Sequence, residues 1–288
     1  MAELTIIYNK CFKVDKNKNK TYLDPELSPQ ELIFLYEIDA KIEGFGLERD
    51  PRIKELRDQR KQAGQQENDM LIIFGCENAN QIAHNQEEVR PNTKAYLGPL
   101  FPGIFQLGLE HIGISFPEEM VGEMKCTNGG KNKDQLIQEL IAKNINILKN
   151  IPIREYAEDM INSKDFTISE TREDISLVRL TVKDIGFPDG ATTDQIYQRA
   201  KDLGLELCPA ETGPNLRLQN STLEYTLIAM KQIADRLGNP RVFYLGRDGR
   251  GLRLDGAWAE PDREWASDSK FVFRLRPSAG SGQASLET

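Results

Sequence analysis

The sequence predicts an α+β protein: a mixed N-terminal region followed by a C-terminal antiparallel sheet that carries one packed helix. Three observations lead there. Leu177–Gln219 passes from an apolar strand-like run through a turn, a capped helical segment and further short apolar runs. Val242–Leu245 and Leu252–Leu254 flank Arg247-Asp248-Gly249 as the arms of a hairpin. Phe271–Leu275 then supplies a last strand, with Phe271, Phe273 and Leu275 on one face by strand alternation.

The N-terminal elements follow from local signals. Leu4–Val14 is apolar and rich in β-formers, the polar tract Asp15–Lys20 follows, and Thr21-Tyr22-Leu23 resumes, so a hairpin with a lysine-rich tip is expected. Ser28-Pro29-Gln30-Glu31 puts a hydroxyl at the N-cap, proline at the first helical position and glutamate at the third, where serine and glutamate can cap each other's backbone amides. Leu32, Leu35, Tyr36, Asp39 and Ile42 continue at helical spacing until Gly44-Phe45-Gly46. Asp50-Pro51 opens a second helix, whose few apolar positions, Ile53 and Leu56, imply packing by one narrow stripe. Met70–Phe74 reads as a buried strand, and Lys94–Leu97, His111–Phe116 and Val121–Cys126 as shorter ones. Asp134–Asn144 and Pro152–Ser163 read as amphipathic helices, with stripes Leu136, Ile137, Leu140, Ile141 and Ile153, Tyr156, Ala157, Met160.

After Lys164 the texture changes, which divides the chain into a mixed region 1–170, an α+β domain 171–277 and a small, polar, disordered tail 278–288. Leu177–Val182 is a strand. Thr192 or Thr193 caps the helix Asp194–Leu203, and Gly204 is placed to end it in a left-handed conformation. Leu205–Leu207 and Leu216–Leu218 are read as short strands; Leu223–Ile233 fits helix or strand, and strand is favoured because Gly238-Asn239-Pro240 separates it from the hairpin.

Bulk properties exclude several classes. A chain of 288 residues with 39% hydrophobic and 28% charged residues suits a globular protein. The apolar runs are far too short to cross a bilayer, and the start MAELTIIYNK lacks a signal's basic and apolar regions, so a cytoplasmic protein without a membrane partner is expected. A formal net charge of −8 argues against generic nucleic-acid binding. Cys11, Cys76, Cys126 and Cys208 include no close pair, so no metal and no cofactor is expected.

Few motifs carry chemistry. Thr127-Asn128-Gly129-Gly130-Lys131 has Lys125 and Asn132 where a phosphate loop needs glycine and a hydroxyl, so it reads as a plain turn. Cys208, with Glu211 three residues on, is a weak nucleophile candidate, because neither His84 nor His111 sits in a recognisable partner motif. Glu211 with a second acid would be the other catalytic arrangement. The C-terminal sheet offers more: if Leu252, Leu254, Phe271, Phe273 and Leu275 face inward, Arg253, Arg274 and Arg276 face outward, near Trp258 and Trp265. Arginine beside exposed aromatics binds carboxylates, phosphates or unstacked bases. Interleaved Asp255, Glu260, Asp262 and Glu264 favour the plainer alternative, a solvated outer face with the tryptophans folded back on the core.

The tract LTVKDIGFPDGATTDQIYQRAKDLGLELCPAETGPNLRLQ, with NTKAYLGPLFPGIF and EHIGISFPE upstream, resembles a family of uncharacterised bacterial proteins of about this length. The resemblance runs over most of the chain and implies no activity, cofactor or catalytic residue.

The sequence therefore favours a non-catalytic binding or interaction protein, with Arg253, Trp258, Trp265 and Arg274 as contact residues and a protein partner or small anionic ligand. One alternative is a hydrolase using Glu211 or Cys208; the other is single-stranded nucleic-acid binding through the arginine–aromatic face.

Overall fold

The computed structural model describes residues 2–38, 50–145, 156–249 and 251–276. The chain forms two compact units, Met1–Gly98 with Leu109–Met120, and Pro99–Gly108 with Val121–Thr288. It is α+β. Residue 170, where the texture of the sequence changes, lies inside the second unit. Among the described residues no helix is long and apolar enough to cross a membrane. The tail 278–288, Asp39–Gly46 of the first helical run and Ile153 lie outside the described residues.

The first unit begins with α1 (Ala2–Cys11), where the sequence suggested a strand. Leu4, Ile7 and Cys11 are buried while Ile6 is exposed, so the burial period is helical despite the β-branched residues. The hairpin follows as β1 (Phe12–Val14) and β2 (Lys20–Tyr22), its tip closed by Asp15, whose carboxylate accepts the amides of Asn17 and Asn19 at 2.8 Å each. In α2 (Pro29–Leu35) Ser28 and Glu31 cap each other's backbone, and Asp50 caps α3 (Pro51–Gln62). The stripe of α3 is wider than its apolar residues suggest, because Arg57 and Arg60 are buried beside Ile53 and Leu56.

Met70–Phe74 is helical rather than extended, as the end of α4 (Gln66–Ile73). Its buried side begins at Asp69, fully enclosed, which an apolar pattern cannot reveal. Arg60 grips Asp69 with two bonds of 2.6 Å, and the Tyr36 hydroxyl donates to the same carboxylate at 2.8 Å. A charge pair this enclosed is stable only when its remaining donors are satisfied, and Arg60 also donates to the Pro25 carbonyl at 3.1 Å. Three short parallel strands, β3 (Ile82–Ala83), β4 (Ala95–Leu97) and β5 (His111–Gly113), complete the unit.

In the second unit, β6 (Glu123–Asn128) is followed by α5 (Lys133–Ala142) and α6 (Tyr156–Asn162). Then come β7 (Glu173–Thr181), β8 (Ala191–Thr192), α7 (Thr193–Leu203) and β9 (Leu205–Glu206). Thr192 caps α7 and Gly204 ends it at φ +93. The last third holds α8 (Thr212–Gln219), β10 (Thr226–Ile228), β11 (Ile233–Ala234), β12 (Pro240–Asp248), β13 (Gly251–Trp258), β14 (Glu264–Trp265) and β15 (Lys270–Leu275).

The main sheet runs β12-β10-β15-β7-β6, with β13 on the outer edge of β12; its pairs are antiparallel except β10 with β15. Leu216–Leu218 is not a strand but part of α8, so the C-terminal third carries two helices rather than one. Pro214 sits in the first turn, where its missing amide proton costs nothing. The Leu-Arg-Leu alternation misled because Arg217 is as buried as its neighbours, 1% exposed, and donates to the carbonyls of Gly246 and Leu223. One face of the sheet is covered by α8 and α6. A Cβ on Gly213 would lie 2.6 Å from that of Phe243, and one on Gly256 would meet Met160 and Tyr156. The other face is covered through Trp265, whose ring meets Phe271 edge-on at 5.3 Å and whose indole donates to Thr193 at 2.9 Å.

Candidate functional site

The four residues expected to form one contact surface are dispersed. Cross-strand register aligns Asp255, Tyr244, Leu227, Phe271 and Leu180 on one face of the sheet. Arg253, two residues from Asp255, therefore shares its face with Phe271, not with Leu254. Arg274, alternating with Phe273, stands on the other. The assumption that Leu252 and Leu254 point the same way as Phe271 and Phe273 is thus incorrect: the strands are paired one residue out of that phase. The phenylalanines are not matched by a wet opposite side either, since Val272 is as buried as Phe271 and Phe273.

Each arginine already has a carboxylate. Arg253 pairs with Asp255 at 2.5 Å and Asp248 at 3.4 Å, and Arg274 with Glu173 at 2.6 Å. Trp265 is folded against Phe271, and only Trp258 is broadly exposed, at 49%. Arg253 and Trp265 lie on the Phe271 side and Trp258 and Arg274 on the other, so the four do not form one face.

Cys208 and Glu211 are both buried. The Cys208 thiol lies 3.5 Å from the Val272 carbonyl, and burial pushes its pKa well above the ordinary thiol range, which suppresses the thiolate that nucleophilic attack requires. Glu211 is enclosed by donors rather than open to a cleft. Its Oε2 accepts the Gly129 amide at 2.7 Å and the Asn215 side chain at 3.3 Å, and its Oε1 accepts the Ser169 amide at 2.9 Å. Asn128, also buried, donates to Thr212 beside it at 2.9 Å. Among the described residues no three His, Cys, Asp or Glu side chains converge as they would on a metal ion.

What Glu211 supports is a cleft of about 690 Å³, lined by the 127–131 turn, one side of α5, Arg172 and the end of α8. Gly129 and Gly130 have φ of +74 and +72 and press against the segment behind them. A Cβ would come within 2.0 Å of the Thr171 carbonyl at the first and 2.5 Å of Arg172 Cγ at the second. Their amides donate inward, to Glu211 and to the Ser169 carbonyl (3.0 Å), so neither cradles a phosphate. The turn reading of this segment is consistent with that geometry.

The cleft's polarity comes from side chains. Lys131 reaches Glu139 at 2.6 Å, Lys143 donates to the Leu218 carbonyl at 3.0 Å, and Arg172 is exposed, with no ion pair among the described residues. At the end of α8, Gln219 accepts the Thr127 amide at 2.9 Å and donates to the Thr127 carbonyl at 2.8 Å, closing the outer edge of β6 at that residue. Sequence reasoning passed over Arg172, Lys143 and Gln219. The signal for the α5 side was present: Gln135, Glu139 and Lys143 recur every fourth residue, in a row that borders the buried stripe of Leu136, Ile137 and Leu140.

Comparison with protein-family models, with curated proteins and with solved structures gave no match.

Proposed function

We propose that the protein is a non-catalytic binding protein whose ligand is a small multivalent anion, bearing carboxylate or phosphate groups, held in the cleft between α5, Arg172 and the end of α8. One observation carries this reading. Three cations, Lys131, Lys143 and Arg172, meet a single carboxylate, Glu139, in an open cleft of a chain whose net charge is −8. Against that background a local positive concavity concentrates anions by long-range attraction, and arginine adds paired, directional donors. A binding rather than catalytic role is supported by the enclosure of Cys208 and Glu211, which leaves neither exposed as a nucleophile or proton shuttle.

The test is calorimetric titration with pyrophosphate and with citrate at low salt, on the wild type and on an Arg172→Ala, Lys143→Ala double variant. The reading expects saturable binding of one of the two probes that weakens with added salt and falls at least tenfold in the double variant. Equal affinity in wild type and variant rejects the cleft as the site.

A further inference from the structure

We infer that Glu211 is the positioning residue of this cleft: its buried carboxylate holds two segments, the Gly129–Lys131 turn and the Ser169–Arg172 strand entry, at the spacing an anion needs. The inference rests on the cleft reading above and deepens it. Glu211 lies 82 residues from Gly129 and 42 from Ser169, and each of its oxygens takes one of their amides, at 2.7 and 2.9 Å. One carboxylate therefore ties together two chain segments that are not neighbours in sequence. Each segment delivers a cation to the cleft, Lys131 on one and Arg172 on the other. The two segments run on from the paired ends of β6 and β7, at Asn128 and Glu173, and Glu211 fixes how they continue past that pair.

Three details fit a clamp rather than an incidental contact. The Gly130 amide adds a second tie to the Ser169 carbonyl at 3.0 Å, so the joint resists rotation. The absence of side chains at Gly129 and Gly130 brings the turn into contact with Thr171 and the stem of Arg172. Asn215, fully buried on the next turn of α8, donates to Oε2 and fixes the carboxylate's orientation. Glu211 itself is 3% exposed and does not line the cleft, so it acts through the two segments and not by touching the ligand.

Two substitutions separate geometry from charge. Glu211→Gln replaces one acceptor oxygen with a donor facing an amide proton, which breaks one of the two ties. Glu211→Asp keeps the carboxylate but is one methylene shorter, too short to reach both amides together. Each is measured in the full chain by amide hydrogen exchange and by titration with pyrophosphate and citrate. The expected result is exchange faster by at least tenfold at one of Gly129 and Ser169 in Glu211→Gln and at one or both in Glu211→Asp, with exchange in β12 and β15 unchanged, and affinity reduced about tenfold in both variants. Leu203→Ala, in the buried side of α7, serves as a destabilised control that keeps wild-type affinity. Unchanged exchange at Gly129 and Ser169, or wild-type affinity in Glu211→Asp, overturns the inference. Failure of the wild type to bind either anion overturns the cleft reading itself, and is distinguished by exchange that still rises in both variants.

Discussion

Arg253 and Arg274 stand on opposite faces of one sheet. The pairings that link Asp255 to Tyr244, Leu227 and Phe271 put Arg253 on the phenylalanine side, while Arg274 shares its side with Val272. Their strands, β13 and β15, are three ladder steps apart, about 14 Å at ordinary strand spacing. No ligand of modest size can use both, whereas cations from separate segments converge in the cleft beside α5.

Changes on the dispersed residues should therefore leave the cleft untouched. Trp258→Ala and Arg274→Ala are each expected to keep the anion affinity of the wild type within twofold by calorimetry. Arg274→Ala removes a partly exposed pair with Glu173 and should cost no more than about 1 kcal/mol in urea unfolding. A tenfold loss of affinity in either would place the ligand on the C-terminal sheet.

The first unit depends on the enclosed Arg60–Asp69 pair. Asp69→Asn leaves the guanidinium buried beside a neutral group and should destabilise that unit by about 3–5 kcal/mol, the usual cost of breaking such a pair from one side. Tyr36→Phe removes one hydrogen bond to the same buried carboxylate and should cost about 1.5–3 kcal/mol. Unfolding midpoints by circular dichroism give both values, and a loss under about 1 kcal/mol for Asp69→Asn would contradict the pairing.

Acid should weaken the second unit through Asp235. Burial alone would raise its pKa, but the Arg241 guanidinium at 2.6 Å and the Asn239 and Leu237 amides outweigh that and hold it at about 2. The unfolded chain titrates near pH 4. A depressed folded value means this stabilisation is complete above that point and is lost as pH falls from about 4 to about 2. Asp235→Asn should be less stable at neutral pH and lack this component of the acid slope. Denaturant midpoints measured from pH 7 to pH 2 check both; parallel curves for the two proteins would remove Asp235 as the cause.

Thiol chemistry offers an independent view of burial. Cys11, Cys126 and Cys208 are enclosed, and burial raises their pKa values, to about 11 for Cys11 and about 12 for Cys126. Cys76 is only half-buried. Iodoacetamide at pH 8 should modify Cys76 first and leave Cys208 unmodified until the protein is unfolded, as read by peptide mass spectrometry. Early modification of Cys208 would contradict its enclosed position.

Local signals were the readable part of this sequence. Ser28 with Glu31, Asp50 before Pro51, and Thr192 with Gly204 mark helix ends through bonds within one turn, and all three recur in the structure. The hairpin around Arg247–Gly249 is legible for the same reason. Where apolar pattern stood in for burial, the reading failed. Asp69, Arg57 and Arg217 are interior polar residues whose partners lie outside their own helices, so α4 and α8 passed for strands and α3 for a thinly packed helix. The cleft is harder still. Its cations come from segments about forty residues apart, joined through Glu211, and only tertiary structure tells that such a residue braces a joint instead of performing chemistry.

The Gln219 carboxamide, bonded to both backbone groups of Thr127, has a consequence for solubility at high concentration. An exposed outermost strand invites the same strand of another molecule to zip alongside it. Here a side chain already fills that berth at Thr127, and charged Glu123 and Lys125 flank what is left. Along β6, copies of the protein are thereby denied a continuous template for polymerising edge to edge.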